Sequence, residues 1–245
     1  DMPGYHQARP YVNSPNGAIT FFETPVNLSN TVTITQGGEM GSLRVSYTNT
    51  DMKGIMPNSS LKRNSFSVGT QLNVSPKLKV SSFANFIQTD AVGRNATGYN
   101  ANLMTSFRQW WQTNIDVQRQ KDAYFATRRN VTWNPNEPDN PTPAYWDNPY
   151  WYAYENYESD NRKRLVGNLA LTYELTDWLS VMGRVATDTY SELQEERKAV
   201  GSHAERFGIA TGADGSISRL EVSSGYLRRD ITSTETNYDI SLNFK

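Results

Sequence analysis

One stretch of the sequence, VGNLALTYELTDWLSVMGRVATD at residues 166–188, limits the possible folds more than any other feature. Before and after its central TDW, apolar residues occupy nearly every second position, and polar residues fill most positions between them. Successive side chains of a β-strand point to opposite faces, so this period of two predicts a hairpin with one apolar and one polar face. The apolar face must meet either a protein core or a lipid bilayer.

The same alternation recurs along the chain and predicts five further strands, which makes seven in total. The five segments are NTVTIT (30–35), SLRVSYTNT (42–50), NSFSVGTQLNV (64–74), LKVSSFANF (78–86) and NYDISLNF (237–244). Tight turns join several of these segments, and only antiparallel neighbours can be joined in this way. The predicted fold class is therefore all-β, with antiparallel pairing.

The connections between the predicted strands differ greatly in length. Three are minimal turns, GGEMG, SPK and TD, whereas the alternate connections are DMKGIMPNSS and most of residues 90–163 and 195–226. Counting along the strands places all the short turns at one end of the sheet and all the long loops at the other. Outer-membrane β-barrels have this asymmetry, and long irregular loops are uncommon in compact soluble domains.

Strand length and charge placement also favour a bilayer over a protein core. Most predicted strands have about 8–11 residues, where bilayer-crossing strands have about 9–11 and soluble strands about 5–6. The polar face carries Arg44, Glu174 and Arg184 within its strands, which a water-filled lumen permits. A soluble antiparallel sandwich is the alternative, because its strands also alternate. Ten residues are predicted to form one continuous apolar exterior: Leu43, Val45, Val68, Leu72, Leu169, Leu171, Val181, Val185, Ile240 and Leu242.

Composition removes several classes of function. The chain has no run of 18 apolar residues, so no transmembrane helix is predicted. Its 24 basic and 25 acidic residues give a net charge of -1, which argues against a nucleic-acid partner. Without cysteine, the chain has no disulfide, thiol nucleophile or zinc-thiolate site. The two histidines form no known catalytic or metal motif, so we expect neither an enzyme nor a cofactor.

Two long blocks of the sequence resemble a known family. TITQGGEMGSLRVSYTNTDMKGIMPNSSLKRNSFSVGTQLNVSPKLKVSSFANF combines a Gly-rich turn, a strand ending in SYTN, a KGI-PNS loop and KRNSF. NPYWYAYENYESDNRKRLVGNLALTYELTDWLSVMGRVATD follows in the right order, with NPYW, YEN and TDWL. The blocks are similar to the early barrel strands of SusC/RagA-type TonB-dependent outer-membrane transporters, and the likeness runs from residue 30 to 245.

The resemblance implies a segment of an antiparallel transmembrane β-barrel with long extracellular loops. Residues 1–29 would be an extracellular loop, 30–89 four strands, 90–163 a long extracellular loop, and 164–245 three strands with a further extracellular loop. The plug and the remaining strands of a barrel of about 22 would be absent. This agrees with a chain that starts in a loop and stops inside a strand pattern, so we expect part of a longer protein.

The family also implies function and partners. Its members import oligosaccharides, and sometimes peptides, across the bacterial outer membrane. A SusD-like surface lipoprotein closes over the extracellular mouth, TonB supplies energy from the inner membrane, and outer-membrane lipids surround the barrel. No TonB-contacting residue can be assigned in this chain. The alternative function is a soluble or surface-attached β-rich module that binds glycans.

Aromatic residues between positions 110 and 157 supply the candidate binding residues. Sugar rings stack on aromatic planes, so Trp110, Trp111, Trp133 and Trp146 are the predicted substrate contacts. The alternative is that these rings pack the loop on itself or against the lid protein. The aromatics of NPYW belong to the family-like block and are expected to serve architecture.

Other segments of the chain allow two readings each. TSFRQWWQ (105–112) is either a short amphipathic helix or irregular chain. NPNEPDNPTP (134–143) has oxygen ligands for Ca²⁺ but lacks EF-hand spacing, so a Pro-rich turn is preferred. Glu192, Glu195 and Glu196 lie beside two basic residues and are interpreted as a solvated charge run rather than a glycosidase pair.

Overall fold

The computed structural model describes residues 7, 8, 10–94, 102–203, 205–207 and 220–244. Within these residues the chain is mostly antiparallel β-sheet, which confirms the predicted all-β class. Seven long strands form one sheet: β1 (Val26–Gly38), β2 (Gly41–Lys53), β3 (Ser60–Ser75), β4 (Leu78–Val92), β7 (Glu158–Thr176), β8 (Leu179–Lys198) and β11 (Gly225–Phe244). Each strand pairs with the next one in this order.

Short and long connections alternate along this sheet, as the sequence predicts. Two-residue turns at 39–40, 76–77 and 177–178 join the strands at one end. The connections at the other end span residues 54–59, 93–157 and 199–224, and the last contains the short strands β9 (Glu205–Phe207) and β10 (Leu220–Val222). We call residues 93–157 the aromatic loop. It contains α1 (Leu103–Thr105), a π-helical turn (Ser106–Trp110), α2 (Val117–Thr127), the short strands β5 (Pro135–Glu137) and β6 (Asn140–Pro143), and α3 (Pro149–Glu155).

The strands extend beyond the boundaries predicted from the sequence. β1 begins at Val26, inside the predicted loop 1–29, and β7 begins at Glu158, inside the predicted loop 90–163. β8 runs to Lys198, past the predicted end of its strand. The added pairs are mostly polar, such as Asp90 with Asn161. Polar pairs carry no period-two signal, so alternation alone could not reveal them.

Register places all ten predicted exterior residues on one face. Residues paired directly across strands share a face, and one row of partners runs from Val80 through Leu171 and Gly183 to Ile240. None of the ten residues is buried. Leu171 is 48% exposed and Ile240 is 84% exposed. The seven strands therefore share one apolar face that no second layer of the described structure covers.

The opposite face is polar and carries ion pairs between neighbouring strands. Each pair joins a basic residue of one strand to an acidic residue of the next, so the charges cancel locally. The pairs are Lys79 with Glu174 at 3.9 Å, Arg162 with Glu192 at 3.6 Å, Arg184 with Asp239 at 2.8 Å, and Arg164 with Asp188. Glu192, one of the three glutamates of the predicted charge run, therefore forms an ion pair with Arg162 on the neighbouring strand.

The largest cluster of buried hydrophobic residues lies in the aromatic loop and in the segment before β1. It comprises Phe21, Leu103, Val117, Tyr124, Tyr150, Trp151 and Ala153. Asp116 caps the core helix α2 by accepting a hydrogen bond from the main-chain N–H of Arg119 at 3.2 Å. The helix ends where Arg128 adopts the left-handed conformation, at φ 55°. The short 3-10 helix Ala18–Phe21 adds Phe21 to the same core.

Both ambiguous segments of the aromatic loop are structured. TSFRQWWQ is largely the π-helical turn, and the rings of Phe107 and Trp111 lie 4.9 Å apart, so the helical alternative is confirmed. NPNEPDNPTP forms the β5–β6 hairpin, with Pro138 and Asp139 at its turn, so the Pro-rich turn is confirmed. In the described part of the chain, no three His, Cys, Asp or Glu side chains are grouped as metal ligands.

Candidate functional site

Two rows of aromatic residues bound the apolar face. On the side of the long connections, Tyr47, Phe66 and Phe86 are successive cross-strand partners. On the side of the short turns, the rings of Trp178 and Phe244 stack with centroids 6.2 Å apart. Aromatic residues therefore lie near both ends of the apolar face.

The height of the apolar face can be estimated along β7. Ten residues separate Leu165 from Leu175, which is about 33 Å at the rise of a β-strand. Leu165 is 40% exposed and Leu175 is 47% exposed. If the strand is tilted by about 40°, as barrel strands are, the apolar strip is about 25 Å tall. The outward apolar band of outer-membrane barrels is also about 25 Å tall.

The aromatic loop brings two of the four predicted tryptophans together. The rings of Trp111 and Trp133 meet edge to face, with centroids 5.5 Å apart. Trp111 also contacts Phe107, which in turn contacts Phe21 of the core at 5.0 Å. The indole Nε1 of each tryptophan is buried and makes no hydrogen bond with any residue that the structure describes. Two buried donors without acceptors are energetically unfavourable.

The other two predicted tryptophans have different surroundings. Trp110 is 50% exposed, at the end of the π-helical turn. Trp146 is half-buried, and its main chain is held by Asn134, whose Oδ1 accepts from the Trp146 N–H at 2.9 Å. Among the described residues, no ring contact links Trp110 or Trp146 to the Trp111–Trp133 pair. The structure therefore assembles a pair of indoles and leaves one tryptophan open at the surface.

Asparagines organise the aromatic loop, and the sequence interpretation did not identify them. Asn148 is fully buried; its Oδ1 caps α3, and its Nδ2 donates to the carbonyl oxygens of Gln120 and Val131, both at 2.8 Å. Asn130 Oδ1 accepts from the Asn148 N–H at 2.9 Å. The sequence does contain a signal for Asn148, because an asparagine followed by a proline is typical of the N-cap and first position of a helix.

Burial changes the acidity of two groups in this loop. Burial raises the pKa of Tyr150 to about 12, with a smaller contribution from the negative charge of Glu23. Burial also raises the pKa of Asp147 above its ordinary value. Tyr150 therefore stays neutral at physiological pH, and its ring packs on Phe21 with centroids 5.0 Å apart.

No family model matches the chain, and no curated protein is significantly similar to it. None of the helices in the described ranges is both long enough and apolar enough to span a membrane.

Proposed function

We propose that this chain is part of a SusC/RagA-type TonB-dependent transporter, which imports oligosaccharides or other large nutrients across the bacterial outer membrane. The observation that carries the proposal is the exposed apolar face, which extends over seven antiparallel strands between two rows of aromatic residues. Its partners would be a SusD-like surface lipoprotein, TonB acting through parts outside this chain, and outer-membrane lipids.

Exposed area supports a lipid environment for this face. Soluble monomers rarely expose contiguous apolar patches larger than a few hundred Å². Here Leu72, Leu169, Tyr173, Ile240 and Phe244, which lie on three strands of one sheet, are each at least 44% exposed. A bilayer covers such a face without a second protein layer, whereas a soluble glycan-binding module would have to bury it.

Unpaired edges support a sheet that continues into a closed barrel. Within the described residues, β1 and β11 each pair along one edge only. They are 13 and 20 residues long. In hydrocarbon every backbone N–H and C=O must be paired, and a closed barrel achieves this by removing all edges. Further strands beside β1 and β11 would complete the pairing.

The polar face suits the inside of a plugged barrel. Arg184 pairs with Asp239, and Lys79 with Glu174, so this face is hydrophilic without a strong excess of either charge. Lumen walls of outer-membrane barrels are polar and alternate with lipid-facing residues along each strand. A near-neutral wall places no electrostatic preference on the charge of a ligand.

Localisation and topology can be tested together in intact cells. We expect the full protein to fractionate with the outer membrane and to require detergent for extraction. A cysteine introduced at Tyr145, which is 73% exposed in the aromatic loop, should react with an impermeant maleimide added outside, once the lid protein is deleted. A cysteine at Lys77, in a short turn, is the matched control and should react only after the periplasm is opened. Reversed labelling or a soluble protein would contradict the proposal.

Substrate selection is expected to depend on the tryptophans of the aromatic loop. Trp110, Trp111, Trp133 and Trp146 are replaced singly by Ala, and at least one variant should show weaker uptake. If the replaced ring anchors a ligand, the binding free energy should fall by about 1–3 kcal/mol. Uptake is measured with fluorescent neutral oligosaccharides and, separately, with fluorescent peptides. Barrel assembly should be unchanged, because loops tolerate substitution better than their scaffold. Normal uptake by all four variants would assign these rings to loop architecture.

A further inference from the structure

Strand β4 breaks the alternation of the sheet at one point. Ser82 lies on the apolar face together with Ala84 and Phe86. The next residue after Ser82 is Phe83, which lies on the polar face, because its cross-strand partner is Asn168 of that face. A large apolar side chain on a polar face departs from the pattern of the rest of the strand. Departures of this kind in an otherwise consistent sequence are expected at functional positions.

The ring of Phe83 is open to its surroundings on the polar face, where it is 40% exposed. On one side its cross-strand partner is Gly69, which has no side chain to cover the ring. A Cβ atom built on Gly69 would lie 3.8 Å from Phe83 Cδ2. Aromatic side chains of sheets also cover glycines of neighbouring strands, and that role uses only part of the ring surface. The exposed remainder of the Phe83 ring is available to a ligand.

The side chains around Phe83 are uncharged. Ser81 and Asn85 flank it on the same face of β4, and Asn168 lies opposite it on β7. The diagonal neighbours on β3 and β7 are Ser67, Gln71, Val166 and Ala170. A charged ligand over this ring would lose water without gaining a counter-charge, which is costly. The surroundings of Phe83 therefore favour an uncharged ligand.

Two amide side chains beside the ring can still form hydrogen bonds. The Asn168 side chain bonds to no group that the structure describes. Asn85 Oδ1 accepts from Ser65 Oγ at 2.8 Å, which leaves Asn85 Nδ2 free to donate to a ligand. An amide offers both a donor and an acceptor, and a hydroxyl group can pair with either. Ligand sites combine apolar surface with a few polar groups that fix orientation, and Phe83 with its two neighbouring amides has this composition.

We infer that Phe83 is a stacking platform for an uncharged sugar ring, whose hydroxyl groups bond to Asn168 and Asn85. The C–H face of the sugar is apolar and covers the exposed phenyl ring, while its hydroxyl groups replace the water around the two amides. This site belongs to the sheet, so it is distinct from the tryptophans of the aromatic loop. The inference rests on the proposed function only in taking the polar face to be in contact with water, and it applies equally to a glycan-binding module.

Calorimetric titration of the purified full protein in detergent tests this site. The probes are uncharged linear oligosaccharides of glucose, mannose, galactose or xylose. We expect at least one of them to bind, and Phe83→Leu to raise its Kd by about threefold to tenfold, which is the usual contribution of a stacked ring. Leucine keeps an apolar side chain at this exposed position, so the protein should fold, but it lacks the flat ring. Phe83→Tyr keeps the flat ring and should leave the Kd within about twofold of the wild-type value.

Phe86→Leu is the matched control for this substitution. Phe86 lies on the same strand and is 44% exposed, but it belongs to the apolar face, so its replacement should leave the Kd unchanged. Equal binding by the wild type and Phe83→Leu, or no binding of any probe, would overturn the inference. Binding that Phe83→Tyr weakens as much as Phe83→Leu would overturn the stacking role. Phe83-dependent binding without uptake of the bound sugar by cells would instead contradict the transport proposal and leave this site standing.

Discussion

Leu171→Arg is expected to destabilise the folded protein in a lipid bilayer by about 2–4 kcal/mol. Leu171 lies on the apolar face between the two aromatic rows, with Val80 and Gly183 as its cross-strand partners. An arginine there would place a charge against hydrocarbon near the middle of the apolar strip. The free energy of unfolding can be measured by reversible denaturant titration in phospholipid vesicles.

Asn168→Arg is the matched control for this substitution. Asn168 lies three residues away on the same strand but on the polar face, where its partners are Phe83 and Ala186. Because a polar lumen solvates the added charge, the cost should stay below about 1 kcal/mol. Equal costs for the two variants would show that both faces meet the same environment, which would contradict a lipid-facing exterior.

Trp151→Ala is expected to destabilise the aromatic loop by about 3–5 kcal/mol. Trp151 is 4% exposed and packs in the core with Phe21, Leu103 and Tyr124. Its removal leaves a cavity that the surrounding rings can fill only in part. Hydrogen exchange should show faster exchange of the α2 and α3 amides, while the amides of β7 and β8 keep their protection. The sheet is held by its own backbone ladder, which does not include this core.

Tyr145→Ala in the same loop is the control for this effect. Tyr145 is 73% exposed, so the substitution removes little buried area and should change stability by less than about 0.5 kcal/mol. Loss of sheet protection together with loop protection in Trp151→Ala would show that the loop and the sheet unfold as one unit. That result would contradict a separate core among the connections.

The sheet was predictable from the sequence because its two faces differ in polarity. Alternation through Leu169, Leu171 and Tyr173 predicts both the strand and the face that each residue occupies, and register in the structure agrees. Strand ends were less predictable. Beyond the apolar strip both faces are polar, as at Asp160 and Ser159, so no pattern distinguishes strand from loop there.

The aromatic loop was much less predictable. Helix α2 has no clear apolar stripe, and its core contacts Val117 and Tyr124 come from long-range packing against Phe21 and Tyr150. Local sequence cannot specify which distant rings will meet. The tryptophans stand out by residue type alone. Residue type does not predict that the rings of Trp111 and Trp133 contact each other while Trp110 stays exposed. Asparagines such as Asn148 act through buried hydrogen bonds, which have no periodic signature.

Accessibility of spin labels along β7 tests the lipid-facing exterior most directly. Single cysteines are introduced in turn at positions 165–173 of the otherwise cysteine-free chain and labelled in vesicles. Oxygen concentrates in lipid, and a charged nickel complex stays in water. We predict that oxygen reaches the odd-numbered positions, including Leu169 and Leu171, and that the nickel complex reaches the even-numbered positions, including Asn168. High access of the nickel complex at the odd-numbered positions, or low access of both reagents there, would contradict a bilayer-spanning sheet.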